Sequence, residues 1–365
     1  MNHSESKYSV QDSLLTLCIR CLTKAVHVVE VIMTDNMFQA AMTPPQPGSI
    51  LVLVGGWPDS ADSSSYSPVS SGPPCQPRLP PLPRPYMWDL MAEVVQGLLI
   101  TCNMDYNKYQ ADGTKDFACW SIDPEASLAA WTPLPPPPLL LFLSTSATWN
   151  DKMVVVGGSR QLHQDLDRLK GTKHLQVYHP KERSWIHGPA LPGRLLEGCA
   201  VTTKELGLLV LGNFRGSKAN FYQLPGLDSA WHELPSSHYR HQRPGCAVVD
   251  LEGEHGLLVV TGGLAEFFSI KKKSWRELPP LVNQLSPNCR VSVGMSSGRV
   301  VVAGGWDVQD QEKARAVEAW KEGEGWEVLD HQLEVGRTRH TEVELPAFIC
   351  SKMVNRTSNI NTTLD

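Results

Sequence analysis

The feature that most constrains this chain is a short apolar run, rich in β-branched residues and ending in a glycine pair, that keeps returning. It reads SILVLVGGW at 49–57, MVVVGG at 153–158, GLLVLGN at 207–213, GLLVVTGG at 256–263 and RVVVAGGW at 299–306, with a degenerate GLLITCN at 97–103. Measured between the marker pairs 55/56, 102/103, 157/158, 212/213, 262/263 and 304/305, the intervals are 47, 55, 55, 50 and 42 residues. Self-similarity at a period near 50 residues is the signature of a repeat architecture, in which one supersecondary unit is copied and no copy can bury its apolar faces alone. Each run is short, β-branched and closed by a breaker, so the marker segment is a strand.

The stretch Gly256 to Pro280 shows what one unit contains. Leu257 to Val260 is an apolar strand, Gly262-Gly263 breaks it, Phe267 to Ile270 is a second run, and Ser274 to Leu278 is a third, carrying Trp275 and closed by Pro279-Pro280. Tryptophan ahead of proline or Leu-Pro recurs at Trp131, Trp185 and Trp231, Trp326 stands in WEVL, and Cys75 occupies that place in the first unit. A further strand before the marker, at Cys199, Cys246 and Cys289, brings each unit to four. These cysteines fall 13, 16 and 15 residues ahead of their markers, so they are expected to be one structural position in different units, buried and reduced. Cys18 and Cys21 form a CxxC without the second pair that a zinc site needs. The tryptophans are expected to fill the gaps between neighbouring units. The glycine pairs allow positive φ or close backbone approach.

An apolar run ending in Gly-Gly, then an aromatic seven residues before a tryptophan, as in Tyr178 to Trp185 and Phe268 to Trp275, resembles the kelch repeat. Departures are Cys102-Asn103 and Gly212-Asn213 in place of Gly-Gly, and aromatic spacings of eleven in Trp120 to Trp131 and nine in Tyr222 to Trp231. The resemblance implies an all-β fold, a six-bladed kelch-type β-propeller over 46–350, with a leader at 1–45 and a disordered tail at 351–365. In kelch-like proteins a BTB and BACK region precedes the propeller and binds a cullin. Here the leader resembles at most the end of a BACK region.

Bulk properties narrow the function. A net charge of -5 and a pI near 6.2 give no basic footprint for nucleic acid. The most apolar N-terminal stretch, Leu14 to Met33, is interrupted by Arg20, Lys24, His27 and Glu30, which defeats both membrane insertion and a signal-peptide reading. A cytoplasmic location is the expectation. The proline run 133–138 follows an outer strand and is read as a connection between units rather than a docking motif.

Ring closure is expected from the C-terminal end. The first unit lacks a convincing strand before Ser49, and the segment Gly336 to Pro346 resembles the approach to one, as in Tyr239 to Cys246; it would lie beside Leu51 to Val54.

The connections entering the first strands collect arginine and histidine against an acidic whole. They supply Arg194, Glu197, His241, Arg243, Asn288, Arg339 and His340 as candidate partner-binding residues, and Arg243-Pro-Gly is similar to the arginine-x-glycine pattern of kelch proteins that bind acidic peptides. The expected function is a non-catalytic interaction module, without cofactor, that binds an acidic or polar peptide loop of a protein partner at the channel mouth. It would serve a cullin ligase only if a longer isoform carries the BTB domain. The alternative is a propeller enzyme of the galactose-oxidase or sugar-epimerase type. A copper radical site needs two tyrosines, and the entering loops offer only Tyr239.

Overall fold

The structure, a computed structural model, describes residues 29–33, 49–54, 57–58, 80, 87–105, 116–126, 129–161, 169–212, 219–296, 299–333, 336–338 and 341–346. The first strands are β1 (Val29–Met33), β2 (Ser49–Val54) and β3 (Trp57–Pro58). One four-stranded sheet follows from β4 (Met87–Val95), β5 (Leu98–Asp105), β6 (Phe117–Ile122) and β7 (Thr132–Leu134). The next is β8 (Phe142–Trp149), β9 (Lys152–Ser159), β10 (Leu175–His179) and β11 (Ser184–His187). Then come β12 (Cys199–Thr203), β13 (Gly207–Gly212), β14 (Asn220–Leu224) and β15 (His232–Leu234). A fourth sheet is β16 (Gly245–Leu251), β17 (Glu254–Thr261), β18 (Leu264–Ser269) and β19 (Ser274–Glu277). In the fifth, β20 (Ser292–Ser296) and β21 (Arg299–Ala303) are followed by a small hairpin, β22 (Trp306–Asp307) and β23 (Glu312–Lys313), before β24 (Ala316–Lys321) and β25 (Gly325–Gln332). The last described strands are β26 (Arg337–Thr338) and β27 (Thr341–Pro346). The fold is all-β, five four-stranded antiparallel sheets in a propeller-like arrangement.

The marker runs in β5, β9, β13, β17 and β21 are second strands and are buried on both faces, which is why they read as continuous apolar stretches rather than alternating ones. Period-two geometry then divides each run between two neighbours. Leu258 and Val260 of β17 pack with Val293, Val300 and Val302 of the following sheet. Leu257 and Val259, the alternate residues, pack with Leu209, Leu211 and Phe221 of the preceding one.

Each tryptophan crosses a seam in the same way. Its indole N–H donates to a proline carbonyl: Trp131 to Pro80 at 3.1 Å, Trp185 to Pro135 at 2.8 Å, Trp231 to Pro189 at 3.1 Å, Trp275 to Pro235 at 2.6 Å and Trp326 to Pro279 at 3.0 Å. In the last four the proline follows the outer strand of the preceding sheet, so one recurrent residue pair joins neighbour to neighbour. A buried indole N–H needs an acceptor, and a carbonyl ahead of the next connection supplies it. Glycine is required where backbones meet at the markers: at Gly157, with φ of 70°, a Cβ would lie 2.5 Å from that of Leu195.

First strands of successive sheets are neighbours, in the order β4, β8, β12, β16 and β20, and β27 lies against both β20 and β4. β27 pairs antiparallel with β2, Leu51 opposite Glu344 and Val54 opposite Thr341, as expected for the C-terminal segment. β1, within the stretch expected to be a leader, pairs with the other edge of β2, Val31 opposite Val52. The tail from Ser351 lies outside the described residues.

The cysteine expectation is corrected. Cys246 stands opposite Val259, but its counterpart opposite Val210 is Ala200, with Cys199 one position earlier. Cys289 is in the turn before β20, its N–H on the Ser286 carbonyl. Cys199 and Cys246 are bonded to each other, as are Cys102 and Cys119, which face one another across β5 and β6. The inference from separate units overlooked that first strands of adjacent sheets run side by side, with Cα atoms 6.3 Å apart at this pair.

Candidate functional site

The connections entering β12, β16 and β20 gather at the marker-glycine end, where Gly157 meets Leu195, Gly262 meets Pro287 and Gly245 meets Val291. Arg243 stands at their junction. Its Nε donates to the Glu197 carboxylate in one connection, its Nη2 forms an ion pair with that carboxylate, and its Nη1 donates to the Asn288 carbonyl in the next at 2.8 Å. Three residues selected from the sequence, on three successive connections, are therefore joined. The side chains of Arg243 and Glu197 are only 7% and 16% exposed, so the pair holds loops together from inside. This changes the reading of Arg243: the guanidinium fork expected for a ligand is engaged by the chain itself.

His241 is also internal. Its Nε2 lies 2.7 Å from Glu266 Oε2 and its Nδ1 lies 3.3 Å from Thr261 Oγ1. Glu266, on β18 and fully buried, binds His238 Nδ1 through its other oxygen at 2.7 Å and accepts the backbone N–H groups of His238 and Tyr239. Burial pushes this carboxyl up, but the hydrogen bonds from His241 and from the backbone of His238 and Tyr239 outweigh it and hold Glu266 below the ordinary value. Being ionised, Glu266 accepts from both rings. Tyr239 donates its hydroxyl to Glu277 at 2.6 Å, and that hydrogen bond, with burial and the carboxylate charges, moves the phenol to about 12.

Glu266 belongs to a recurrent device that sequence reasoning missed. Glu318 on β24 accepts the backbone N–H groups of Val282 and Asn283 at 2.7 and 2.9 Å, and Gln176 on β10 both accepts from Leu139 N–H and donates to Leu139 O. In each case a buried polar residue on the third strand fixes the connection that enters its own sheet. The signal was present: Gln176, Glu266 and Glu318 each stand two positions before the unit's aromatic, Tyr178, Phe268 and Trp320.

Arg194 is exposed, its Nη1 donating to Gly171 O at 3.3 Å. Arg339 and His340 lie outside the described residues, and of Arg337 the backbone is placed, opposite Pro58. Among the described residues no group of three or more His, Cys, Asp or Glu side chains could hold a metal ion.

A second polar cluster lies among the first strands. Glu93 of β4 faces Ile100, two residues before the marker of its unit, and Glu342 of β27 faces Leu53, two before the marker of the first. The two carboxyls thus occupy one level on adjacent strands. Thr148 donates to Glu93 at 3.0 Å and Ser292 to Glu342 at 2.9 Å. Burial raises Glu93 to about 7 against the hydrogen bonds of Ser146 and Thr148, and Glu342 adds to the rise. Burial likewise raises Glu342, against the charge of Arg290.

No protein family and no curated relative matches the sequence. A solved structure described as "Structure of YjhT" resembles the chain with a TM-score of 0.54 at 16% identity, over 72% of this chain and 88% of that one. It is a kelch-type propeller, and at that identity the likeness concerns the fold alone.

Proposed function

We propose that the chain is a six-bladed kelch-type propeller and a non-catalytic protein–protein interaction module, with a peptide loop of a protein partner docking at the mouth formed by the entering connections. The blade count rests on the five complete sheets together with β27, β2 and β1, β27 lying between β20 and β4. The observation that carries the functional reading is the Glu197–Arg243–Asn288 clasp. It fixes three neighbouring connections relative to one another, and a rim ordered in advance loses little entropy on binding. His238 and His241, which the enzyme alternative would require as ligands, are held by Glu266. In a longer form carrying a BTB region, the same mouth would choose the substrate of a cullin ligase.

The experiment is cross-linking mass spectrometry with the full chain as bait, comparing Arg194→Glu/Arg240→Glu, both exposed on entering connections, with Lys181→Glu on an outer turn. Loss of cross-linked partners in the first variant alone supports the reading. Equal capture by both variants refutes it.

A further inference from the structure

Among the described residues the large apolar side chains most exposed include Leu264 at 43%, Val282 at 57% and Val308 at 37%. They stand on three turns that are hydrogen-bonded to one another. Leu281 N–H donates to Gly263 O at 2.8 Å, and Val308 N–H donates to Gln284 O at 2.9 Å, so the segment 281–285 runs between the turn of β17 and β18 and the hairpin of β22 and β23. None of the three sits on a loose loop. Val282 and Asn283 have their N–H groups on the buried Glu318 carboxylate, Leu264 follows the Gly262-Gly263 turn, and the turn after Val308 is capped by Asp307 Oδ1, which accepts from Gln309 and Asp310. Holding apolar side chains in water on hydrogen-bonded backbone gives nothing to folding; it presents them. The mouth is adjacent, since Gly262 touches Pro287, the residue before Asn288.

The charges around these turns decide what fits. Asp307 is half-buried at the base of the hairpin, Asp310 and Glu312 are exposed on it, and Glu277, exposed beside Leu278 whose N–H binds Ala265 O, lies on the opposite flank. We infer that Leu264, Val282 and Val308 form a docking surface for a peptide segment of a protein partner that carries an apolar side chain flanked by lysine or arginine. The apolar residue would be the buried anchor and the bases would meet the acidic rim. The inference rests on the interaction-module reading and adds, beside the mouth, a second surface whose occupant is a segment of basic, apolar chemistry.

The test is selection of a phage-displayed random peptide library on the full chain, followed by binding of the synthetic consensus peptide to Leu264→Ser/Val282→Ser and to Asp310→Lys/Glu312→Lys. These substitutions are at exposed sites, and thermal melting checks that each variant remains folded. The expected consensus is one aliphatic residue beside Lys or Arg, with affinity falling by at least about tenfold in both variants, a loss of 1.4 kcal/mol or more. Acidic consensus peptides that ignore both variants but lose affinity in Arg194→Glu would overturn this surface while leaving the module reading standing. A selection that enriches nothing counts against both. If the wild-type chain sediments as a dimer and Val282→Ser as a monomer, the surface joins copies of this chain and the peptide proposal is wrong.

Discussion

The indole of Trp275 donates to the carbonyl of Pro235 across the seam between two sheets, while its ring packs against Phe268 of its own sheet and Phe221 of the other, at 5.2 and 5.3 Å between centroids. Two contributions can therefore be separated by mutation. Trp275→Phe keeps a ring and loses the donor, and is expected to cost about 1 kcal/mol in urea unfolding. Trp275→Ala also empties the seam and should cost about 3 kcal/mol. Equal losses would mean that the hydrogen bond, not the packing, joins the sheets.

The Arg243–Glu197 pair makes a different kind of forecast. Arg243→Ala leaves a carboxylate with little exposure and no counter-charge, and removing one partner of a buried pair costs about 3 kcal/mol. Arg243→Ala/Glu197→Ala should recover part of that loss, and Arg194→Ala, at an exposed side chain, should change stability little. Denaturant unfolding of these proteins together with Glu197→Ala closes the cycle and gives the coupling directly. A stability cost for Arg194→Ala equal to that for Arg243→Ala would undo the distinction between them.

Closure by β27 is tested by truncation. Removing residues 341–365 strips β2 of one partner and takes away the strand between β20 and β4, leaving unpaired edges that recruit other chains. Aggregation on purification is the expected result. Removal of residues 351–365 alone should leave the melting curve unchanged. Identical behaviour of the two truncations would place the decisive contact at β1.

Why the fold was legible and the site only partly so follows from particular residues. The runs at Leu257–Val260 and Val300–Ala303 announced their strands because both faces of a second strand are covered, so every position is apolar. The tryptophans announced the seams because each has the same task. Glu197 and Arg243 were selected as neighbours of the mouth, but a one-dimensional string cannot show that residues 46 apart form an ion pair when each occupies a turn with positive φ, 52° and 47°. Glu266 was missed for the opposite reason. A single glutamate between apolar residues in LAEFFS looks like an irregular strand position until Gln176 and Glu318 show the same placement. The cysteines misled because recurrence along the sequence was read as separation in space.

Glu93 supplies the pH dependence. Burial, with help from the Glu342 charge, raises its folded value from the ordinary 4.5 to about 7. A carboxyl raised on folding binds its proton more tightly in the native than in the unfolded chain, so between those two values the native state holds more protons and stability falls as pH rises. The contribution of Glu93 is fully present below about 4.5, is lost progressively up to about 7, and does not change above that. Glu93→Gln keeps an acceptor for Thr148 and cannot ionise, so the variant should be more stable than the wild type at pH 8 and the difference should shrink towards pH 5. Glu342→Gln, which removes the neighbouring charge at the same level, should move the wild-type midpoint downwards. Urea denaturation of the three proteins across this range measures both effects. The Arg290 charge faces both carboxyls and opposes their rise. Arg290→Gln should therefore carry the fall in stability to higher pH, and a pH dependence left unchanged by both Glu93→Gln and Arg290→Gln would show that the titrating group lies elsewhere.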